Sequence, residues 1–236
     1  MDPVYLSMIV LLQGVYSDRQ EVIMTPVKST YQLQAEHVIK EMKKRNFEAF
    51  YCPTKEDALE KALSLIKKGS VVATGGSATI KEIGLGEHIM QHSDDYTYID
   101  RSLAKTPQEA RECHARTVLA DYYLMSTNAF TADGLLVNID GNGNRVSNLC
   151  FGPEHVIVIA SMNKMVPTEE EAYARIHQDA CPPNAIRLSL NPPCAATGFC
   201  HDCTSEDCIC ASFVTTRFCR YKDRIKVILV GEPLGF

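Results

Sequence analysis

Between Asn128 and Asn148 the chain reads NAFTADGLLVNIDGNGNRVSN, with five Asn, three Gly, two Asp and one Arg around the apolar run Leu135-Leu136-Val137. Gly and Asn weaken strands and lose entropy on ordering, so a stretch selected for stability alone would not carry so many. The composition suits a place where backbone amides and short polar side chains converge on a small ligand. A polar hairpin loop is the competing reading, because Asn-Gly and Asp-Gly pairs favour hairpin turns. The polar residues continue through the apolar run instead of sitting at its tip, which favours a site. Asp133, followed by Gly134 and a strand carrying Asn138 and Asp140, is the acid/base candidate. Arg145 is the cation for an anionic substrate, with Asn128 and Asn144 as further contacts.

Upstream, Val71-Val72-Ala73-Thr74 reads as a buried strand running into Gly75-Gly76 and then Ser77-Ala78-Thr79. Glycines let a backbone approach a ligand, and free amides at a helix start attract an anion. Gly75, Gly76, Ser77 and Thr79 are therefore expected to hold an anion; a tight turn with Ser77 as helix cap is the alternative. The run is neither a Walker A loop nor a GxGxxG turn, so it supplies no nucleotide cofactor motif. Asp100-Arg101 and Asn163-Lys164 also follow strand-like runs. Arg101 suits a bidentate pair with a carboxylate or phosphate, or else a surface ion pair. Lys164 suits neutralising an anion, or else is an ordinary exposed lysine. His114, on a helix beside Arg111 and Arg116, reads as a surface residue.

Ten cysteines are unevenly spread, and Cys194, Cys200, Cys203, Cys208, Cys210 and Cys219 fall within 26 residues. Secreted disulfide scaffolds are shorter and stapled throughout, so clustering points to metal or redox chemistry. Cys194, Cys200, Cys203 and Cys210 give C-x5-C-x2-C-x6-C, with Cys208 as a substitute ligand. Thiolates so spaced hold zinc or an iron–sulfur cluster. The lone Cys200–Cys203 pair also suits a redox dithiol, and reduced, partly buried thiols are the plain alternative.

The hydrophobic pattern indicates the scaffold. Helical periodicity predicts helices over 30–44, 54–68, 77–83, 106–119 and 168–179. Strands are predicted over 47–51, 70–74, 96–100, 122–125, 135–139, 156–160 and 225–230. Such alternation implies an α/β fold of three layers, a mostly parallel sheet with helices on both faces. The 236 residues suffice for one large domain. A net charge of −5 argues against a broad nucleic-acid surface. No apolar run reaches the roughly 18 residues of a membrane span. Residues 1–24 read as an N-terminal extension and the chain as cytoplasmic.

The runs GGSATIKEIGL (75–85), DYYLMSTNAFTADGLLVNIDGNGNRV (121–146), FGPEHVIVIASMNKMV (151–166), the cysteine segment and KVILVGEPLGF (226–236) occur in one order. In that order the chain resembles the lactate-utilization (LUD) domain family from about residue 25 to its end. Cys181 and Cys208 depart from the family pattern. The resemblance implies a fold like the NagB, ribose-5-phosphate isomerase and CoA-transferase group, whose sugar-phosphate isomerases hold phosphate on a loop like 74–79. It also implies a part in oxidising L-lactate, or a similar 2-hydroxy acid, to pyruvate beside iron–sulfur partner proteins, and self-association. Two classes of function follow: an oxidoreductase component of that kind, or an isomerase- or transferase-like enzyme on a phosphorylated small molecule. A ligand-sensing module is the third.

Overall fold

Runs of β-branched and aliphatic residues bounded by Gly, Ser and Asp suit strands buried on both faces, and such runs form the centre of the molecule. A computed structural model describes residues 25–236; the extension over 1–24 lies outside the described residues. The strands are β1 (Glu48–Cys52), β2 (Ser70–Thr74), β3 (Tyr96–Ile99), β4 (Tyr122–Met125), β5 (Ala129–Thr131), β6 (Leu136–Asp140), β7 (His155–Ser161), β8 (Met165–Val166), β9 (Ser212–Thr216) and β10 (Ile225–Val230). Six form one sheet in the order β1-β10-β7-β4-β2-β3, and every neighbouring pair is parallel.

The helices are α1 (Pro26–Lys44), α2 (Lys55–Leu65), α3 (Ala78–Glu82), α4 (Leu85–Gln91), α5 (Pro107–Val118), α6 (Asn144–Cys150), α7 (Glu169–Arg175), α8 (Cys181–Arg187) and α9 (Pro193–Thr197). The central strands feed two cores by simple alternation. Val156, Val158, Val227 and Leu229 pack with Ala35, Val38 and Met42 of α1. The intervening Ile157, Ile159, Ile228 and Val230 pack with Ala58 and Ala62 of α2 and with Leu85 and Ile89 of α4. The α/β three-layer expectation therefore holds. No helix among the described residues is long and apolar enough to cross a membrane.

The predicted helix over 54–68 ends early, at Leu65. Its start is fixed as expected: Thr54 Oγ1 accepts from the Asp57 amide at 3.1 Å and Asp57 Oδ2 accepts from the Thr54 amide at 3.2 Å. The predicted helix over 168–179 is regular only to Arg175, where the turn widens over Ile176–Ala180 before α8 begins. A second sheet, β8-β5-β6-β9, packs a smaller core of Ala129, Val137, Ala172 and Ile176 against α7 and the turn that follows. Only β6 of that sheet is predicted from the sequence.

Candidate functional site

In a parallel sheet all carboxyl ends share one edge, and that edge is where ligands collect in open α/β folds. The loops after β2, β3, β4, β7 and β10 meet there with the β6–α6 turn and α8, enclosing a cavity of about 410 Å³. Gly76, Ser77, Thr79, Arg101, Asn128, Asp140, Asn144, Arg145 and Lys164 all line it. Residues that are far apart in sequence are thus brought together.

Their roles differ from the expectation in several places. Arg145 is a hub of the wall. Nη1 donates to Ser126 O at 3.0 Å and Asn138 Oδ1 at 2.5 Å, and Nη2 donates to Asn128 Oδ1 at 2.7 Å and Ile139 O at 2.9 Å. Nε faces Asp140 Oδ2 at 3.5 Å. A guanidinium has five N–H donors; the four on Nη1 and Nη2 are all used here, and Nε faces the Asp140 carboxylate. Burial pushes its pKa down, with Asp140 opposing the shift. Arg145 therefore holds Asn128, Asn138 and Asp140 in place and has no donor left for a substrate. Asp140 is similarly committed, since Oδ1 accepts from the Asn142 and Gly143 amides at 3.1 and 3.0 Å. Asn138 is wholly buried behind the wall.

Gly75 also lies behind the lining, and its backbone amide bonds Leu124 O at 2.9 Å. A Cβ there would meet Tyr123 Oη at 2.7 Å, whereas one on Gly76 would meet only Arg101 Nη1, at 4.0 Å. So Gly75 is needed for packing, and Gly76 leaves open the space under Arg101. Ser77 caps α3 by accepting from the Ile80 amide at 3.2 Å, and it lines the cavity as well. Arg101 is exposed, and among the described residues its side chain makes no hydrogen bond or ion pair. It is the guanidinium open to an anion.

Lys164 is the residue whose setting the sequence least reveals. It is 3 % exposed, where a lysine after a strand would ordinarily reach solvent. Nζ donates to Thr79 Oγ1 at 3.0 Å and Ser126 Oγ at 3.2 Å, and it pairs with no carboxylate among the described residues. Burial, then the charges of Arg175 and Arg145, push its pKa down to about 7, with Glu82 opposing. Arg175 in turn donates to Asn128 O at 2.7 Å and Asn163 O at 3.4 Å, tying the loop after β4 to the one after β7.

Asp133 is not part of this site. Arg45 Nη2 bonds its Oδ2 at 2.5 Å, Thr131 Oγ1 bonds its Oδ1 at 2.5 Å, and it lies in the β5–β6 turn away from the cavity. The acid/base expectation for Asp133 fails because the turn directs its carboxylate to α1's end, where Arg45 sits. His114 also departs from expectation. It is half-buried, with Nε2 3.3 Å from Ser147 Oγ, and lines a second cavity of about 680 Å³ that shares Arg101, Asn142 and Asn144 with the first.

The cysteines do not converge as the expected ligand set. Cys200 Sγ faces His177 Nδ1 at 3.1 Å, Cys203 Sγ faces Ser205 Oγ at 3.7 Å, and Cys210 Sγ faces Cys181 Sγ at 3.3 Å. Cys194 is buried. Tetrahedral zinc or an iron–sulfur cluster needs its thiolates around one point. Cys210, Cys203 and Cys200 all lie close enough to act on the Cys194 thiol, yet among the described residues no three His, Cys, Asp or Glu side chains are placed to hold a metal ion. As arranged, the residues do not fit the group. Cys181, outside the expected set, and Cys208, its substitute ligand, line the cavity instead.

Several lining residues went unnoticed in the sequence. Ser126 and Thr127 directly follow β4, so the rule that picked out Arg101 and Lys164 would have found them. Arg187, the Glu206–Ile209 segment and Phe236 also line the cavity, brought there by α8, the cysteine-rich segment and the turn after β10. No local signal marks them.

Residues 35–230 match the family model of the LUD domain. The chain belongs to the LUD domain family. No curated protein matches its sequence. Among solved structures, a DUF162 family protein from Deinococcus radiodurans is 14 % identical at a TM-score of 0.46, covering 86 % of this LUD domain chain and 98 % of its own. The eIF2B delta of Chaetomium thermophilum is 13 % identical at a TM-score of 0.35, covering 58 % and 54 %. Ribose 5-phosphate isomerase from Plasmodium falciparum is 15 % identical at a TM-score of 0.32, covering 48 % and 52 %.

Proposed function

We propose that this LUD domain holds a small 2-hydroxy or 2-oxo acid, as the substrate-binding subunit of a system that oxidises L-lactate, or a similar 2-hydroxy acid, to pyruvate. The family is associated with lactate utilization, and one observation carries the finer reading. A buried lysine amine, bonded among the described residues to the hydroxyls of Thr79 and Ser126 alone, shares a cavity with the guanidinium of Arg101, which those residues leave unengaged. Arg101 takes the carboxylate in a two-point contact. Lys164, Thr79 and Ser126 take the oxygen on C2, whether alcohol or ketone. The two electrons of the oxidation pass to an iron–sulfur partner protein.

The volume favours a second reading. At about 410 Å³, with a further cavity of about 680 Å³ next to Arg101, there is room for more than a three-carbon acid. An isomerase- or transferase-like enzyme on a phosphorylated small molecule would seat phosphate on Arg101 and Ser77, and Lys164 would move the proton, since Asp133 lies elsewhere.

Isothermal titration calorimetry with L-lactate, pyruvate and ribose 5-phosphate separates the two. The first reading expects pyruvate and lactate to bind and Arg101→Ala to weaken both at least tenfold. Binding of ribose 5-phosphate alone would replace it with the second.

A further inference from the structure

We infer that Lys164 is a nucleophile, its Nζ condensing with the ketone carbon of a 2-oxo acid to form a Schiff base. The inference rests on the reading that the cavity takes such an acid, and it adds covalent chemistry to that reading.

The geometry is that of a reactive amine. Lys164 is 3 % exposed yet lines the cavity, so its amine meets a ligand but little bulk water. The absence of a bonded carboxylate matters, because an ion pair would keep the amine protonated. The charged groups acting on it are Arg175 and Arg145, which repel a proton, and Glu82, which attracts one. Glu82 is itself engaged, its Oε2 accepting from the Gly235 amide at 2.9 Å. Neutral amine is therefore available near neutral pH, as imine formation requires. Gly235 also keeps the space above the amine clear. A Cβ there would stand 3.1 Å from Lys164 Nζ and 2.5 Å from Thr79 Oγ1.

The step balances without any redox partner. The nitrogen lone pair forms a C–N bond to C2 while the carbonyl π pair moves to oxygen, which takes a proton from the Ser126 or Thr79 hydroxyl. Nitrogen returns a proton to that hydroxyl. The carbinolamine then expels its oxygen as water, and the C=N bond closes. Amine and ketone give imine and one water, with no change of oxidation state. Arg101 supplies selectivity, since a 2-oxo acid anchored by its carboxylate presents C2 to the amine and a simple ketone does not. A protonated imine at C2 also draws electrons from C3, so a C3 hydrogen becomes exchangeable with solvent.

The test uses the full chain with pyruvate and borohydride, which reduces an imine to a stable secondary amine. Peptide mapping by mass spectrometry is expected to find a carboxyethyl group on Lys164 in at least tenfold excess over every other lysine, and acetone is expected not to label it. Lys164→Arg should abolish the label and the exchange of pyruvate C3 hydrogens in deuterium oxide. Arg101 is exposed, so Arg101→Ala keeps the fold and should cut labelling at least tenfold even if Lys164 variants do not fold. Calorimetric binding of pyruvate with no label on Lys164, or with label spread over surface lysines, would overturn the covalent step and leave the binding reading standing. Neither binding nor label would overturn both.

Discussion

Replacing Arg145 with alanine is expected to damage the fold more than any ligand contact. The guanidinium is 13 % exposed and satisfies Ser126 O, Asn138 Oδ1, Asn128 Oδ1 and Ile139 O, besides facing the 8 % exposed Asp140 carboxylate. An acceptor left buried and unpaired is destabilised by about 1–3 kcal/mol. Asn128 Oδ1 keeps its bond from the Ile139 amide at 3.0 Å, and cavity water entering the opened wall holds each of the other three near the lower end, which gives about 3 kcal/mol in all. Asp140 keeps its bonds from Asn142 and Gly143, so the lost pairing there adds little. Set against a total stability of roughly 5–15 kcal/mol, the loss is large. For a chain of this size it lowers Tm by about 6–12 °C. Arg145→Lys keeps the charge but has three donors instead of five, so it should fall about halfway. Urea unfolding followed by far-ultraviolet circular dichroism measures both. A change below about 1 kcal/mol for Arg145→Ala, together with loss of ligand binding, would show that the guanidinium serves the ligand and that its four hydrogen bonds do not organise the wall.

The two adjacent glycines are expected to part company. Gly75→Ala drives a methyl to 2.7 Å from Tyr123 Oη and should destabilise by about 1–3 kcal/mol. Gly76→Ala meets only Arg101 Nη1 at 4.0 Å and should change stability by less than about 0.5 kcal/mol in the same urea experiment. Lys164 links stability to pH. Its folded pKa of about 7 lies below the ordinary 10.5, so above pH 7 the unfolded chain binds more protons and stability rises with pH up to that ordinary value. Lys164→Met should remove that rise between pH 7 and 9, and equal slopes for parent and variant would refute the depressed value. Asp133→Asn should leave ligand affinity within twofold and lower stability by at most about 1 kcal/mol, because the Arg45 pair is half exposed. A large affinity loss on calorimetry would return Asp133 to the site. With Cys181 and Cys210 sulfurs 3.3 Å apart, oxidised glutathione should link these two before any other pair, as read by peptide mapping.

Much of this architecture is legible in the sequence, and the parts that are not have physical reasons. The runs of β7 and β10 announce buried parallel strands because both faces are apolar, and Gly75-Gly76 after β2 marks a strand end. The second sheet is hidden because β5 and β8 are only three and two residues long and β9 is half-polar, and α6 because it starts among the Asn and Gly residues that suggest only a loop. The convergence of Arg101, Asn128 and Lys164 follows from strand polarity. What Arg145 does with its donors does not, since that depends on β6 bringing Asn138 beneath it. The burial of Lys164 depends on Gly235 and Phe236, some seventy residues later, folding back over it. The cysteine spacing suggests one centre, and the thiols do gather, yet no three His, Cys, Asp or Glu side chains of the described residues are placed to hold a metal ion.

Five of the stretches at the cavity rim hang from different strands of one parallel sheet, β2, β3, β4, β7 and β10, whose order is held by the two cores on its faces. The rim is therefore modular. A change of length or charge after β3 alters what approaches Arg101 without moving Lys164, which follows β7. Diversity among relatives should accordingly gather in single loops, one substrate preference at a time. The exception is Arg175, whose bonds to two of those loops at once make them inherit each other's changes.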